Sequence, residues 1–325
     1  MTWLKPCWAL GALAWLISST AAAATLTVGT RNGPPTVAAA LQRAADGDTI
    51  EVPSGQHRGD VAVILQRQLT IRGVGATRPV MLADGRHAEG KAIWVVRDGD
   101  ITIENIEFRG ARVPDLNGAG IRFERGRLTV LRCAFFDNEM GLLTSNVESA
   151  SLQVVDSEFG QAPTHPGSLH HLLYIGRIAH ASIRNSRFHD GHIGHLIKSR
   201  ARETEVIGNT IVDGPQGRAS YEIDLPNGGL AQVRGNTIGQ AAGTDNPVIV
   251  SFGAEGAPWP VSGLTVEDNL ITNDRPQGGT FVRVWRERLP ADTPVAVRRN
   301  RLVGPGQLEL GAGAAVEGNV EVARP

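Results

Sequence analysis

Along this chain apolar and polar residues alternate at period two in short bursts, and the bursts recur. ITIENIEF (101–108), LTVLRCAF (128–135), LQVVDSEF (152–159) and ASIRNSRF (181–188) share one pattern. Each has a pair of strand-forming residues two apart, then a polar turn, then one apolar residue. The pattern continues as EVIGNTI (205–211), QVRGNTI (232–238), TVEDNLI (265–271) and AVRRNRL (296–302), and frays in AVEGNV (315–320). Period two predicts strands. Copies spaced roughly 20–30 residues apart predict a repeat architecture whose neighbours bury one continuous core. A 3.6-residue apolar stripe is missing, and so are leucines at fixed offsets, which excludes helical and leucine-rich repeats. The expected fold is all-β: a right-handed parallel β-helix.

Two columns carry that expectation. Phe108, Phe135, Phe159 and Phe188, followed by Ile211, Ile238, Ile271 and Leu302, should stack inside the coil. Asn209, Asn236, Asn269, Asn300 and Asn319 should form a ladder in which side-chain amides satisfy a tight turn. Between the copies lies a second strand per rung: AIWVV, GIRF, GLLT, LLYI, HLIK, YEID, VIVS and FVRV. Upstream, VAAALQRAADGDTIEVPSG (37–55) reads as a short amphipathic helix and a first strand, the helix capping the open N-terminal end of the solenoid.

Composition narrows the function classes. At 41% apolar over 325 residues the chain is not disordered, and its net charge of −1 provides no global field for nucleic acid. Residues 1–24 read as a secretory signal: Lys5, an apolar stretch from Cys7 to Ile17, then the small-residue run Ala21–Ala24. No later run is long enough to cross a membrane. The expectation is a periplasmic or secreted monomer, with residues 25–325 forming a single domain. Its one remaining cysteine, Cys133, has no partner there, so the core alone must stabilise it.

Candidate chemistry gathers in one stretch. Seven of nine histidines (His165, His170, His171, His180, His189, His192 and His195) lie within thirty-odd residues, directly before Lys198. After residue 24 the only lysines are Lys91 and Lys198. Arginine is always protonated, whereas a lysine amine can serve as a base. The repeat spacing places Leu173, Leu196 and Ile223 inward on successive rungs. It puts His195 and Glu222 in one outward column, and Asp224 on Ile197 with Tyr174 before both. Lys198 then falls beside inward Ile175 and Leu225, so the strand should end near Ile197 and turn Lys198, Ser199 and Arg200 outward. Rungs sit about 4.8 Å apart. His195, Lys198, Arg200, Tyr221, Glu222 and Asp224 are therefore expected around one sugar, with His170, His171, Tyr174, His192, Arg202 and Asn227 as further substrate contacts.

The helix-plus-GDTI opening resembles secreted right-handed β-helix polysaccharide lyases, and HLIKSRARETEVIGNTI (195–211) resembles the chondroitinase B and alginate lyase family. In that family a strand ending in Lys-Ser supplies the catalytic lysine, and Lys198-Ser199 take that place. The resemblance implies β-elimination on an acidic, uronate-containing polysaccharide. Two departures stand out. GHIGH (191–195) replaces the family's acidic calcium ligands, and Pro226 stands where its catalytic arginine would fall. No cofactor is therefore expected.

Uronate elimination needs a base for the C5 proton, a cation for the carboxylate and an acid for the leaving oxygen. Lys198 or His195 could be the base. Arg200 or Arg202 could bind the carboxylate, and Tyr221, His170 or His171 could be the acid. The same set serves a C5-epimerase. Other readings are a divalent metal, such as zinc, on His170, His171, His192 and His195 beside His189-Asp190, and a hydrolase using Glu222 and Asp224, two apart on one face, with Asp213 nearby. A non-catalytic glycan-binding or structural solenoid is the contrasting class.

Overall fold

A computed structural model of the chain describes residues 1–2, 22–165, 169–244 and 246–323. The expected leader falls almost wholly outside the described residues. From Thr25 to Val322 the described chain winds through three parallel sheets of 12, 11 and 10 strands. It visits them in fixed order, so each strand pairs with its counterpart one turn earlier and one turn later. Parallel pairing with right-handed crossovers makes this a right-handed parallel β-helix.

Each recurring segment proves to be two strands rather than one. Arg127–Leu131 lies in the first sheet and Ala134–Phe136 in the second, and the polar turn between them changes direction. The turn needs a left-handed residue, found at Asn105, Arg132, Asp156, Asn185, Gly208, Gly235, Asp268, Arg299 and Gly318, with φ between 50° and 68°. Asparagine, aspartate and glycine tolerate that region best. The next residue is the ladder position. The Asn236 Oδ1 accepts the Asn209 N–H at 2.8 Å, while the Asn236 Nδ2 donates to the Val206 carbonyl at 2.9 Å. Asn269, Asn300 and Asn319 repeat the arrangement, and Ser157 and Ser186 extend it upstream through their hydroxyls.

The inner column is also as expected. Phe108, Phe135, Phe159 and Phe188 stack with ring centroids 5.2, 4.5 and 4.9 Å apart, and Ile211, Ile238, Ile271 and Leu302 continue in register. The third sheet presses closely on this stack. A Cβ at Gly141 would stand 2.8 Å from the Phe159 ring and 2.3 Å from the Leu172 carbonyl, so only glycine fits.

Helix α1 (Val37–Leu41) is only five residues long. Thr36 caps it, the Asp60 carboxylate accepts the Val37 and Ala38 N–H groups, and it packs against the strands Thr49–Pro53 and Ala62–Ile64.

The expected register in the third sheet is off by one residue. Leu173 pairs with Ile197 and then Ile223, not with Leu196. Lys198 therefore sits in the middle of the strand Ile197–Ser199, between Tyr174 and Asp224 in one outward column. The cause is a run of inward doublets. Leu172-Leu173, Leu196-Ile197 and Glu222-Ile223 are all buried where the chain bends into the sheet, so alternation cannot choose between the two residues.

Candidate functional site

Three consecutive strands of the third sheet, Leu173–Ile175, Ile197–Ser199 and Ile223–Leu225, carry Tyr174, Lys198 and Asp224 on their outer face. Asp224 is 1% exposed and Lys198 7%. The Lys198 Nζ lies 3.4 Å from the Asp224 Oδ2. Just beyond the middle strand, the Arg200 Nε donates to the Tyr174 hydroxyl at 3.1 Å and its Nη1 to the Asn227 Oδ1 at 2.7 Å. Both cations converge on Glu255, whose Oε1 is 2.6 Å from the Lys198 Nζ and whose Oε2 is 2.5 Å from the Arg200 Nη2.

A second column runs alongside. The rings of His171, His195 and Tyr221 follow one another on successive rungs, tilted, with centroids 4.7 and 4.8 Å apart. The His171 Nδ1 accepts the His195 N–H at 2.9 Å, and the His195 Nδ1 accepts the Tyr221 N–H at 3.3 Å. These histidines repeat with imidazoles what the ladder does with amides. Neutral rings so engaged carry their proton on Nε2, and the His195 Nε2 faces the Asp224 Oδ2 at 3.5 Å. His195 is thus set as a hydrogen-bond donor toward Asp224.

Burial and neighbouring charge tune the cluster. Burial, helped by the nearby Lys198 and Arg200 cations, pushes His171 down to about 3. Burial likewise holds His195 well below the usual histidine range, with His171, Lys198 and Arg200 adding to it. Burial raises the Asp224 carboxyl to about 6, against the opposing pull of Lys198. Burial also acts upward on Glu255, but hydrogen bonds from Lys198 and Arg200 outweigh it and hold the carboxyl low.

The other expected site residues go elsewhere. Glu222 is fully buried inside the coil, accepting from the Gln240 Nε2 at 3.4 Å, and burial with nearby Asp213 pushes its carboxyl well up. It therefore shares no face with Asp224, a correction that follows from the same inward doublets. Asp213 holds a turn by accepting the Gly191 and Ala219 N–H groups at 2.6 and 2.8 Å. His170 faces the Pro163 carbonyl at 2.9 Å, and His189 lies between Glu158 and Asp190. His192 lines a separate pocket with Arg218, Ser220 and Asn246, and Arg202 points to solvent beside Glu203. Among the described residues no group of three or more His, Cys, Asp or Glu side chains is arranged to hold a metal ion.

Glu255 and Trp259 were not expected. The Trp259 Nε1 donates to the Arg200 carbonyl at 3.0 Å and Arg177 stacks on its ring at 3.9 Å. The available signal was spacing: the step from Asn236 to Asn269 is the longest between ladder positions, and its surplus includes GAEGAPWP (253–260).

No family model matches the chain, and no curated protein sequence does. Several solved structures are similar in fold. The surface protein and adhesin PfbA of Streptococcus pneumoniae aligns at a TM-score of 0.55 with 10% identity, over 88% of this chain and 92% of that one. A pectate lyase aligns at 0.51 with 10% identity, over 92% and 80%. A PL6 alginate lyase in complex with a trisaccharide aligns at 0.52 with 14% identity, over 86% of this chain. The chain spans 60% of that alginate lyase's length. At such identities the likeness is one of architecture: the chain shares the right-handed parallel β-helix of these proteins.

Proposed function

We propose that this chain is an exported, carbohydrate-active β-helix protein that cleaves a uronate-containing polysaccharide by β-elimination at the patch around Lys198. The observation that carries this reading is the convergence of Lys198 and Arg200 on a single carboxylate, that of Glu255, beside Tyr174 and Asp224. A uronate presents the same group. The Arg200 guanidinium grips the carboxylate and stabilises the negative charge that develops as the C5 proton leaves. Lys198 enters the step as the neutral amine, takes that proton and becomes the second cation on the carboxylate. The C5–H electron pair becomes the C4–C5 double bond, the C4–O bond breaks, and the Tyr174 hydroxyl protonates the departing oxygen. His195 and Asp224 position the Lys198 amine. Two of the similar folds belong to lyases named for alginate and pectate, which supports this substrate class.

The near-complete burial of Lys198 and Asp224 favours a second reading, a glycan-binding solenoid without turnover. One experiment separates them: incubation with alginate, polygalacturonate and glycosaminoglycans, with ultraviolet absorbance for the unsaturated product and sizing of the chains. The wild-type chain should produce both signals on one polymer. Lys198→Arg keeps the charge but cannot accept the proton, so turnover should fall about 10²-fold or more while polymer binding persists. Near wild-type turnover in that variant would end the lysine-base assignment. Binding without any product would establish the second reading, and altered uronate composition without absorbance would indicate epimerisation.

A further inference from the structure

We infer that Glu255 is the specificity-determining residue of this site, selecting polymeric uronates over single carboxylic acids. The inference rests on the polyuronate reading above and adds which form of the acid the site accepts. Glu255 places one oxygen on the Lys198 Nζ and the other on the Arg200 Nη2, the contacts a sugar carboxylate would make there.

Its segment is fastened to the rungs that carry the site. The Glu255 N–H donates to the Pro226 carbonyl at 3.0 Å, and the Asn227 Nδ2 donates to the Gly256 carbonyl at 2.6 Å. The Trp259 N–H reaches the Asn227 carbonyl at 3.0 Å, and the indole N–H holds the Arg200 carbonyl. A tethered group competes at an effective concentration in the millimolar range or above. A free monosaccharide offers the same two ion pairs and nothing more, so it cannot displace Glu255 at lower concentration. A polymer brings further sugars onto neighbouring rungs and gains contacts that a monomer lacks. The internal carboxylate thus sets a threshold that only a multivalent ligand passes.

Glu255→Gln tests this, because the side chain is 42% exposed and lies outside the core. Binding of glucuronic acid and of a uronate hexasaccharide to the full chain would be measured by titration calorimetry, with glucose as the neutral control. The Gln variant should bind glucuronic acid at least tenfold more tightly than wild type, leave glucose unchanged, and narrow the preference for the hexasaccharide. Unchanged glucuronic acid affinity would overturn the inference. If wild type still cleaves polyuronate in that case, the proposed function stands alone. If the Gln variant gains glucuronic acid affinity but neither protein binds or cleaves any polyuronate, the blocking role of Glu255 stands and the polymer reading falls. Trp259→Phe, which loses the indole bond to Arg200 and shrinks the ring under Arg177, should shift glucuronic acid affinity in the same direction by a smaller factor. It reads the same point should the Gln variant fold poorly.

Discussion

A single asparagine amide at the ladder turn accepts one backbone N–H and donates to one backbone carbonyl, and both would otherwise be buried without partners. That role was legible because the same residue type recurs at the same place in five copies. The roles of His171 and His195 were not. Which nitrogen accepts depends on a register that adjacent buried residues leave ambiguous, and a cluster of imidazoles in sequence reads equally as base, ligand or ladder. Asp224 shows what the register decides. Buried next to Lys198, its carboxyl ionises near 6 rather than near the 3.8 of an exposed aspartate. Well below pH 4 folded and unfolded chains both keep the proton, so folding bears no penalty there. Between about pH 4 and pH 6 the unfolded chain gives its proton up while the folded one keeps it, so stability is lost across that window and levels off above it. Asp224→Asn has no proton to lose. Wild-type unfolding free energy, measured against that variant by urea titration, should fall by on the order of 3 kcal/mol between pH 4 and pH 7. A difference constant across that range would show that burial does not perturb Asp224.

At the scale of strands, the ladder residue lies in the turn and the stacked residue two positions after it, so together they fix how the second sheet follows the first. Removing one ring tests the stack. Phe135→Ala leaves a cavity between Phe108 and Phe159, whose rings lie 5.2 and 4.5 Å from it. Chemical denaturation should record a loss of about 3–5 kcal/mol, and an unchanged midpoint would show that the ring is not part of the core. This column could be read from sequence because every copy has one apolar residue at a fixed distance from the turn. The third sheet lacked such a marker. Strands such as Ala92–Val96 and Val248–Phe252 are buried on both faces, and at the site the buried doublets Leu196-Ile197 and Glu222-Ile223 leave the phase of alternation open. Hence the sequence locates the sheet but places Lys198 at a strand end and Glu222 on the outer face, where the structure has Lys198 mid-strand and Glu222 inside the coil.

Across the whole molecule, a net charge of −1 gives no long-range attraction for a polyanion. Under the proposed function, recognition would come from the local Lys198–Arg200 pair, whose partner Glu255 arrives from a segment absent from the shorter repeats. Within the sheets each strand pairs only with those one turn above and below, which makes the regular rungs modular in the manner of stacked coins. Arg132 is the left-handed turn residue after the strand Arg127–Leu131, and Ser157 holds the ladder position one turn later. Excising Cys133 through Asp156 joins these two, brings Phe159 onto Phe108 and Leu173 onto Ile121, and restores every column one rung shorter. Such a chain should still unfold cooperatively, with a smaller dependence on denaturant in proportion to its lost surface. Excising half that length would misalign both columns and leave no folded product by circular dichroism. The unit that can be added to or taken from the regular rungs of this architecture without repair is therefore the complete turn.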